Sequence, residues 1–171
     1  MLSEKDYPEI YNNYVRLVPN GDIKEVLLKQ REETVSLLSS ISKETAGSAY
    51  AEEKWTVKEV IGHITDTERI MSERLLRFSR GDSTPLPGYN DEQYVREAEF
   101  NRFSMAELLE SFSAVRGSTL ALLKMLPGSA WEKEGTANNG RFTVRGLAAV
   151  IAGHELHHKR ILKERYLASD S

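Results

Sequence analysis

Trp55-Thr56-Val57-Lys58-Glu59-Val60-Ile61-Gly62-His63-Ile64 reads as the opening of a long helix. The Thr56 hydroxyl can cap free backbone amides, and Glu59, three residues on, completes a capping box. Apolar residues then recur at helical spacing through Val57, Val60, Ile61, Ile64, Met71, Leu75 and Phe78 until Gly81 stops the pattern. Three further segments carry the same grammar. Asp22 caps a helix with Ile23, Val26, Leu27, Gln30, Thr34, Leu37, Leu38 and Ile41 on one face, fraying near Ser42. Ser104 and Glu107 form a second capping box ahead of Leu108, Leu109, Phe112, Val115, Leu120 and Leu123, and this helix runs towards Pro127-Gly128. Thr143 opens the last, with Val144, Leu147, Ala148, Ile151, Leu162 and Tyr166.

These four patterns predict an all-α fold, a four-helix bundle, with no serious competition from strands. Two connections are long: Gly81 to Phe103, which holds Pro85-Leu86-Pro87-Gly88, and Pro127 to Phe142. Such crossovers suit a bundle that does not run simply up-down-up-down. A short helix is expected between Tyr7 and Pro19, packed across one end, and a helical turn or two between Asp91 and Phe100. No low-complexity stretch or linker divides the chain, so residues 1–171 are expected to form one domain. Trp55-Thr56-Val57-Lys58 before Gly62-His63 faintly echoes Phe142-Thr143-Val144-Arg145 before Gly153-His154, an echo that helix-capping preference alone can produce.

Composition narrows the function. Twenty-six acidic residues against 23 basic ones give a net charge of −3, too little positive field to hold a phosphate backbone, so no nucleic-acid partner is expected. The chain has no cysteine, which excludes disulfides, zinc ribbons, iron–sulfur clusters and cysteine nucleophiles. Any metal must be held by nitrogen or oxygen. Neither a secretory leader nor an apolar run of membrane-spanning length occurs, which predicts a soluble cytoplasmic protein with no membrane partner.

The histidines carry the chemistry. At ~100° per residue, His63 lies near −60° from Val60, on the shoulder of its helix's apolar face. On the last helix, measured from Ile151, His158 lies near −20°, His154 near −60° and His157 near −120°. His63, His154 and His158 therefore face inward, whereas His157 points away. A single histidine beside an apolar stripe is ordinarily a hydrogen-bonded core residue. Three uncoordinated imidazoles would need three sets of partners, and one divalent ion satisfies all of them.

His154-Glu155-Leu156-His157-His158 is also a literal H-E-x-x-H, the zinc-protease pattern in which glutamate acts as base. That reading expects a third ligand beyond the helix, and no histidine follows His158. Glu155 remains a candidate base or a partner to a ligand, although its angle near +40° equally fits contact with a neighbouring helix. Asp66 can orient an imidazole through its second nitrogen or simply be solvated. Glu68 and Arg69 read as surface charges or an inter-helix pair. Trp55 and Tyr166 read as core or rim packing, with substrate contact as the alternative.

The blocks Trp55 to Arg69, Gly81-Asp82 with Thr84-Pro85-Leu86-Pro87-Gly88, and Ala152 to His158 together resemble the DinB-like superfamily of metal-dependent enzymes. Within it they are similar to the YfiT-like branch of bacillithiol S-transferases. The resemblance implies a four-helix bundle with long crossovers, often a homodimer. It also implies a divalent metal such as zinc or nickel held by three histidines, here His63, His154 and His158. It further implies a low-molecular-weight thiol as cosubstrate, transferred to a small-molecule electrophile; a chain without cysteine is compatible with a nucleophile brought in from outside. Two alternatives stand beside that reading. One is a metal-dependent hydrolase with Glu155 or Asp66 as base. The other is a non-catalytic bundle, either metal-stabilised or ligand-binding, whose coordination sphere would be filled by protein.

Overall fold

A computed structural model describes residues 2–167. Its α-helices, numbered in chain order, are α1 (Asn12–Val15), α2 (Ile23–Ser39), α3 (Lys43–Ala46), α4 (Val57–Ser79), α5 (Asp91–Ala98), α6 (Met105–Lys124) and α7 (Val144–Ile161). Every predicted cap is engaged. Asp22 accepts from the Lys24 N–H, Thr143 from Gly146, and the capping boxes at Thr56 and Ser104 are both closed. α2 stops at Ser39 because Ser42 caps a helix of its own, α3, which the apolar pattern did not reveal. No helix among the described residues is long and apolar enough to cross a membrane.

The long helices form the expected four-helix bundle. α2 packs against α6 and α7, and α4 packs against the same two. The order around the bundle is thus α2, α6, α4, α7, with α2 diagonal to α4 and α6 diagonal to α7. A diagonal step must cross the end of the bundle. The segments 40–56 and 125–143 make these crossings; the long segment 80–104, expected to be a crossover, instead joins the neighbours α4 and α6.

The expectation of no strands needs correction. The second crossover contains an antiparallel hairpin, β1 (Glu134–Ala137) and β2 (Gly140–Thr143). Its turn residues Asn138 and Asn139 have φ of 49° and 60°, the left-handed pair that matches the twist of a two-residue hairpin and that asparagine tolerates. The connection between α4 and α6 is tied to it. Leu86 N–H donates to the Thr136 carbonyl at 2.9 Å, and Asn138 N–H donates to the Leu86 carbonyl at 3.0 Å.

The core has two apolar halves. One gathers Leu27, Met71, Leu75, Phe78, Leu120 and Leu147; the other gathers Leu38, Ile61, Ile64, Leu109, Phe112 and Leu162. Between them lies a polar layer centred on Arg116, which is fully buried. Its Nε and Nη2 donate to Glu68 at 2.8 and 2.7 Å, Nη2 also to Glu155 at 2.6 Å, and Nη1 to the Leu27 carbonyl at 2.8 Å. Thr34 Oγ1 donates to the other Glu155 oxygen at 2.6 Å. One guanidinium thus touches α2, α4 and α7 from its place on α6. Burial alone would lower the Arg116 pKa, but the two carboxylates raise it, so the cation is retained.

The outer face of α7 is covered by the chain's first residues. A Cβ on Gly146 or Gly153 would collide with the backbone of Asp6 or Tyr14. These two glycines, one on each second turn of the same face, let residues 6–15 lie directly on the helix. Asp6 fixes the start of that contact, accepting from the Thr143 N–H at 2.9 Å and from its hydroxyl at 2.8 Å.

Removing one member of a buried ion network strands the others. Arg116→Met should cost on the order of 3–5 kcal/mol in urea unfolding, because Glu68 and Glu155 lose their counter-charge. Combining it with Glu68→Gln and Glu155→Gln should recover much of that loss. A single-variant cost below about 1 kcal/mol would show that the network is not buried as described.

Candidate metal centre

His63 sits in the second turn of α4, and His154 and His158 sit one turn apart in α7, the helix packed beside it. The spacing brings all three rings to one point. His63 Nε2 is 3.0 Å from His154 Nε2, which is 3.1 Å from His158 Nε2. Ligand atoms of the three residues all lie within 4.8 Å of one another, and among the described residues no other histidine, aspartate or glutamate joins the group. Metal–nitrogen bonds of about 2.0–2.1 Å imply nitrogens roughly 3 Å apart around one ion, and both separations from His154 match that spacing.

The electrostatics favour neutral rings. Burial lowers the His63 pKa to about 4, with Asp91 opposing, and lowers His158 to about 3, with His63 and His157 adding to the effect. Burial also drives His154 well below the ordinary range. An unprotonated imidazole is the ligand form. His157 stands outside the group: it is half-buried, and its ring packs on Tyr14 at 4.9 Å between centroids.

The histidines form one end of a cleft of about 330 Å³. Trp55 walls it, with its ring 4.7 Å from that of His63 and its carbonyl accepting from the Tyr166 hydroxyl at 2.6 Å. Tyr11 and Tyr14 come from the N-terminal cover over α7. Tyr89 and Asp91 come from the connection between α4 and α6 and Asn138 from the hairpin turn.

The two carboxylates singled out from sequence lie elsewhere. Glu155 follows His154 directly, but the ~100° step turns it into the bundle, where both oxygens are taken by Arg116 and Thr34. It is not available as a base in the cleft, and its angle marked a helix contact instead. Asp66 is not part of the cleft wall; it pairs with Arg69 at 3.7 Å, and burial raises its pKa while Arg69 lowers it. The carboxylate that does line the cleft is Asp91, at the first turn of α5. Sequence reasoning did not single it out, and the available signal was only the Asn90 cap that starts a short helix inside a connection.

The DinB superfamily model matches residues 27–162. The chain belongs to the DinB superfamily. A relative from Oceanobacillus iheyensis, named a "putative metal-dependent hydrolase", is 23% identical over 127 residues, covering 74% of this chain and 73% of its own. Among solved structures, YfiT from Bacillus subtilis, described as "a probable metal-dependent hydrolase with an unusual four-helix bundle topology", superposes with a TM-score of 0.72 at 15% identity. That match covers 99% of this chain and 91% of the other. The YfiT-like arrangement of the bundle is thereby established.

Acid should expose the cost of keeping these rings neutral. In metal-free protein the unfolded chain takes up protons below about pH 6.5, whereas the folded His63 does so only near pH 4. The stability is therefore complete above about pH 6.5 and is lost as pH falls towards 4, by on the order of 3 kcal/mol for this residue. Urea unfolding at several pH values should show a shallower acid loss in His63→Phe than in the parent. Parallel curves would remove the depressed His63 pKa.

Proposed function

We propose that the protein is a metal-dependent enzyme acting on small molecules, with His63, His154 and His158 holding one divalent ion, zinc or nickel. The observation that carries this reading is an open three-histidine set at the end of a cleft. Structural zinc sites fill four positions with protein, whereas catalytic sites use three and leave the rest to water or substrate. A closed, purely structural site would require a further protein ligand beside the triad.

When bound, such an ion supplies a Lewis acid that acidifies a thiol or water drawn to it. The chain's own residues supply the rest. The three imidazoles present neutral nitrogens from two packed helices, so little reorganisation is needed to bind. Trp55 backs His63 and excludes water from one side of the site. Tyr14 packs edge-on to the His154 ring at 5.5 Å between centroids and fixes its orientation.

Two reactions suit the cleft. The first is transfer of a low-molecular-weight thiol to an electrophile, the chemistry suggested by the YfiT-like sequence blocks. The second is hydrolysis, the activity in the names of both relatives; it draws support from Asp91, a carboxylate on the wall of the cleft that the three histidines line, where a base for water is needed. The metal-loaded protein should consume a reactive epoxide or alkyl halide faster with an added thiol than without it. Substrate loss independent of thiol would select hydrolysis and remove transfer.

Metal content tests the centre itself. Alanine at His63, His154 or His158 should abolish stoichiometric zinc or nickel after dialysis, since two imidazoles do not complete the set. His157→Ala should retain it. Loss of metal in His157→Ala together with full retention in His63→Ala would replace this site with one confined to α7. A homodimer is the corresponding proposal for assembly, and sedimentation at micromolar concentration should give about twice the chain mass of 19.4 kDa. A monomer throughout that range would remove it.

A further inference from the structure

Arg74 is nearly as buried as Arg116, at 2% exposure, yet no carboxylate pairs with it. Its Nη2 donates to the Pro87 carbonyl at 2.7 Å, and its Nη1 lies 3.5 Å from the Met71 sulfur, a weak acceptor. Among the described residues no aspartate or glutamate stands within ion-pair distance of it. Asp91, the carboxylate of the cleft wall, bonds instead to the Glu92 N–H. A nearly covered guanidinium on a cleft wall, with two neutral acceptors and no carboxylate, is suited to take an anion as its partner.

Its position says where the other half enters. Eleven residues separate His63 from Arg74, about three helical turns and only ~20° of rotation, so both lie on one face of α4. Thr67 and Met71 fill that stripe between them, and all four line the same cleft. Helical side chains lean towards the N-terminus, which aims the long Arg74 side chain back along the cleft towards the histidines. Neutral donors surround it. Tyr11, Tyr89 and Asn138 line the same cleft as Arg74, and Tyr89 shares a hydrogen bond with Thr67 at 2.7 Å.

We infer that the Arg74 end of the cleft is a carboxylate subsite. It takes the carboxylate of a small molecule whose reactive end lies at the histidines. Arg74 supplies the planar pair of donors, and Tyr11, Tyr89 and Asn138 supply neutral ones. The substrate class of the proposed enzyme is then an ω-functional carboxylic acid, either the thiol itself or its reaction partner. What sits at the other end rests on the metal-dependent reading; the subsite does not.

The test separates the two. In metal-free, ¹⁵N-labelled protein, the Arg74 Nε–H resonance, assigned by its loss in Arg74→Lys, should shift saturably with glutarate and not with glutaramide. In metal-loaded protein, the best binder among mercaptoacetate, 3-mercaptopropionate and 4-mercaptobutyrate should bind at least tenfold more tightly than its methyl ester. Arg74→Met should erase that preference and Arg74→Lys should keep part of it, at unchanged metal content. A mercapto acid that outcompetes the plain acid of equal length assigns the carboxylate to the thiol; equal affinities assign it to the partner substrate. A glutarate shift in protein that binds no metal would uphold the subsite while removing the metal centre. Equal responses to acid and amide in wild type, or an acid preference that survives in Arg74→Met, would overturn the subsite and leave the metal centre standing.

Discussion

The buried contact between Arg116 and its two glutamates is the constraint around which the bundle is arranged. Apolar contacts alone tolerate small slides and rotations of one helix past another, because a methyl group packs nearly as well one rotamer away. A guanidinium with fixed directions does not. By reaching Glu68 on α4, Glu155 on α7 and the Leu27 carbonyl on α2, Arg116 locks the axial register of all four long helices at one level. Such networks are weak evidence for added stability; their attested use is to select one arrangement among several of similar energy.

That register is what aligns the histidines. Glu155 and His154 are consecutive, so fixing the carboxylate in the bundle fixes the adjacent imidazole about 100° around the helix, facing the cleft. On α4, Glu68 and His63 are five residues apart and similarly divided between interior and cleft. One polar layer therefore indexes both helices that contribute ligands. The H-E dipeptide that resembles a protease signature serves two separate structures, the glutamate belonging to the scaffold and the histidine to the site.

The scaffold was legible because its signals are local. A hydroxyl before an apolar stripe and a glutamate three residues on are read within one turn, and helical periodicity turned four histidines into three that converge and one that does not. Arg116 was not singled out, although its position between Phe112 and Leu120, four residues from each, put it squarely on the apolar stripe. A cation there already implied a buried partner. The hairpin escaped because four-residue strands are too short to display alternation, leaving Asn138-Asn139-Gly140 as its trace. The cleft walls were least legible of all: Tyr89, Asp91 and Asn138 come from connections whose positions depend on contacts across the chain, such as the one joining Leu86 to β1.

Gly146 and Gly153 have a bearing on the order in which the molecule is made. They admit residues 6–15 onto the last long helix, and Tyr11 and Tyr14 roof the cleft only once that helix exists. During synthesis the opening segment must wait for α7 to leave the ribosome, more than a hundred residues later. The bundle has no such delay between α4 and α6. A newly made chain thus passes through a stage with helices formed and the reactive pocket still unroofed, and competence arrives as the final closure of a loop spanning nearly the whole polypeptide.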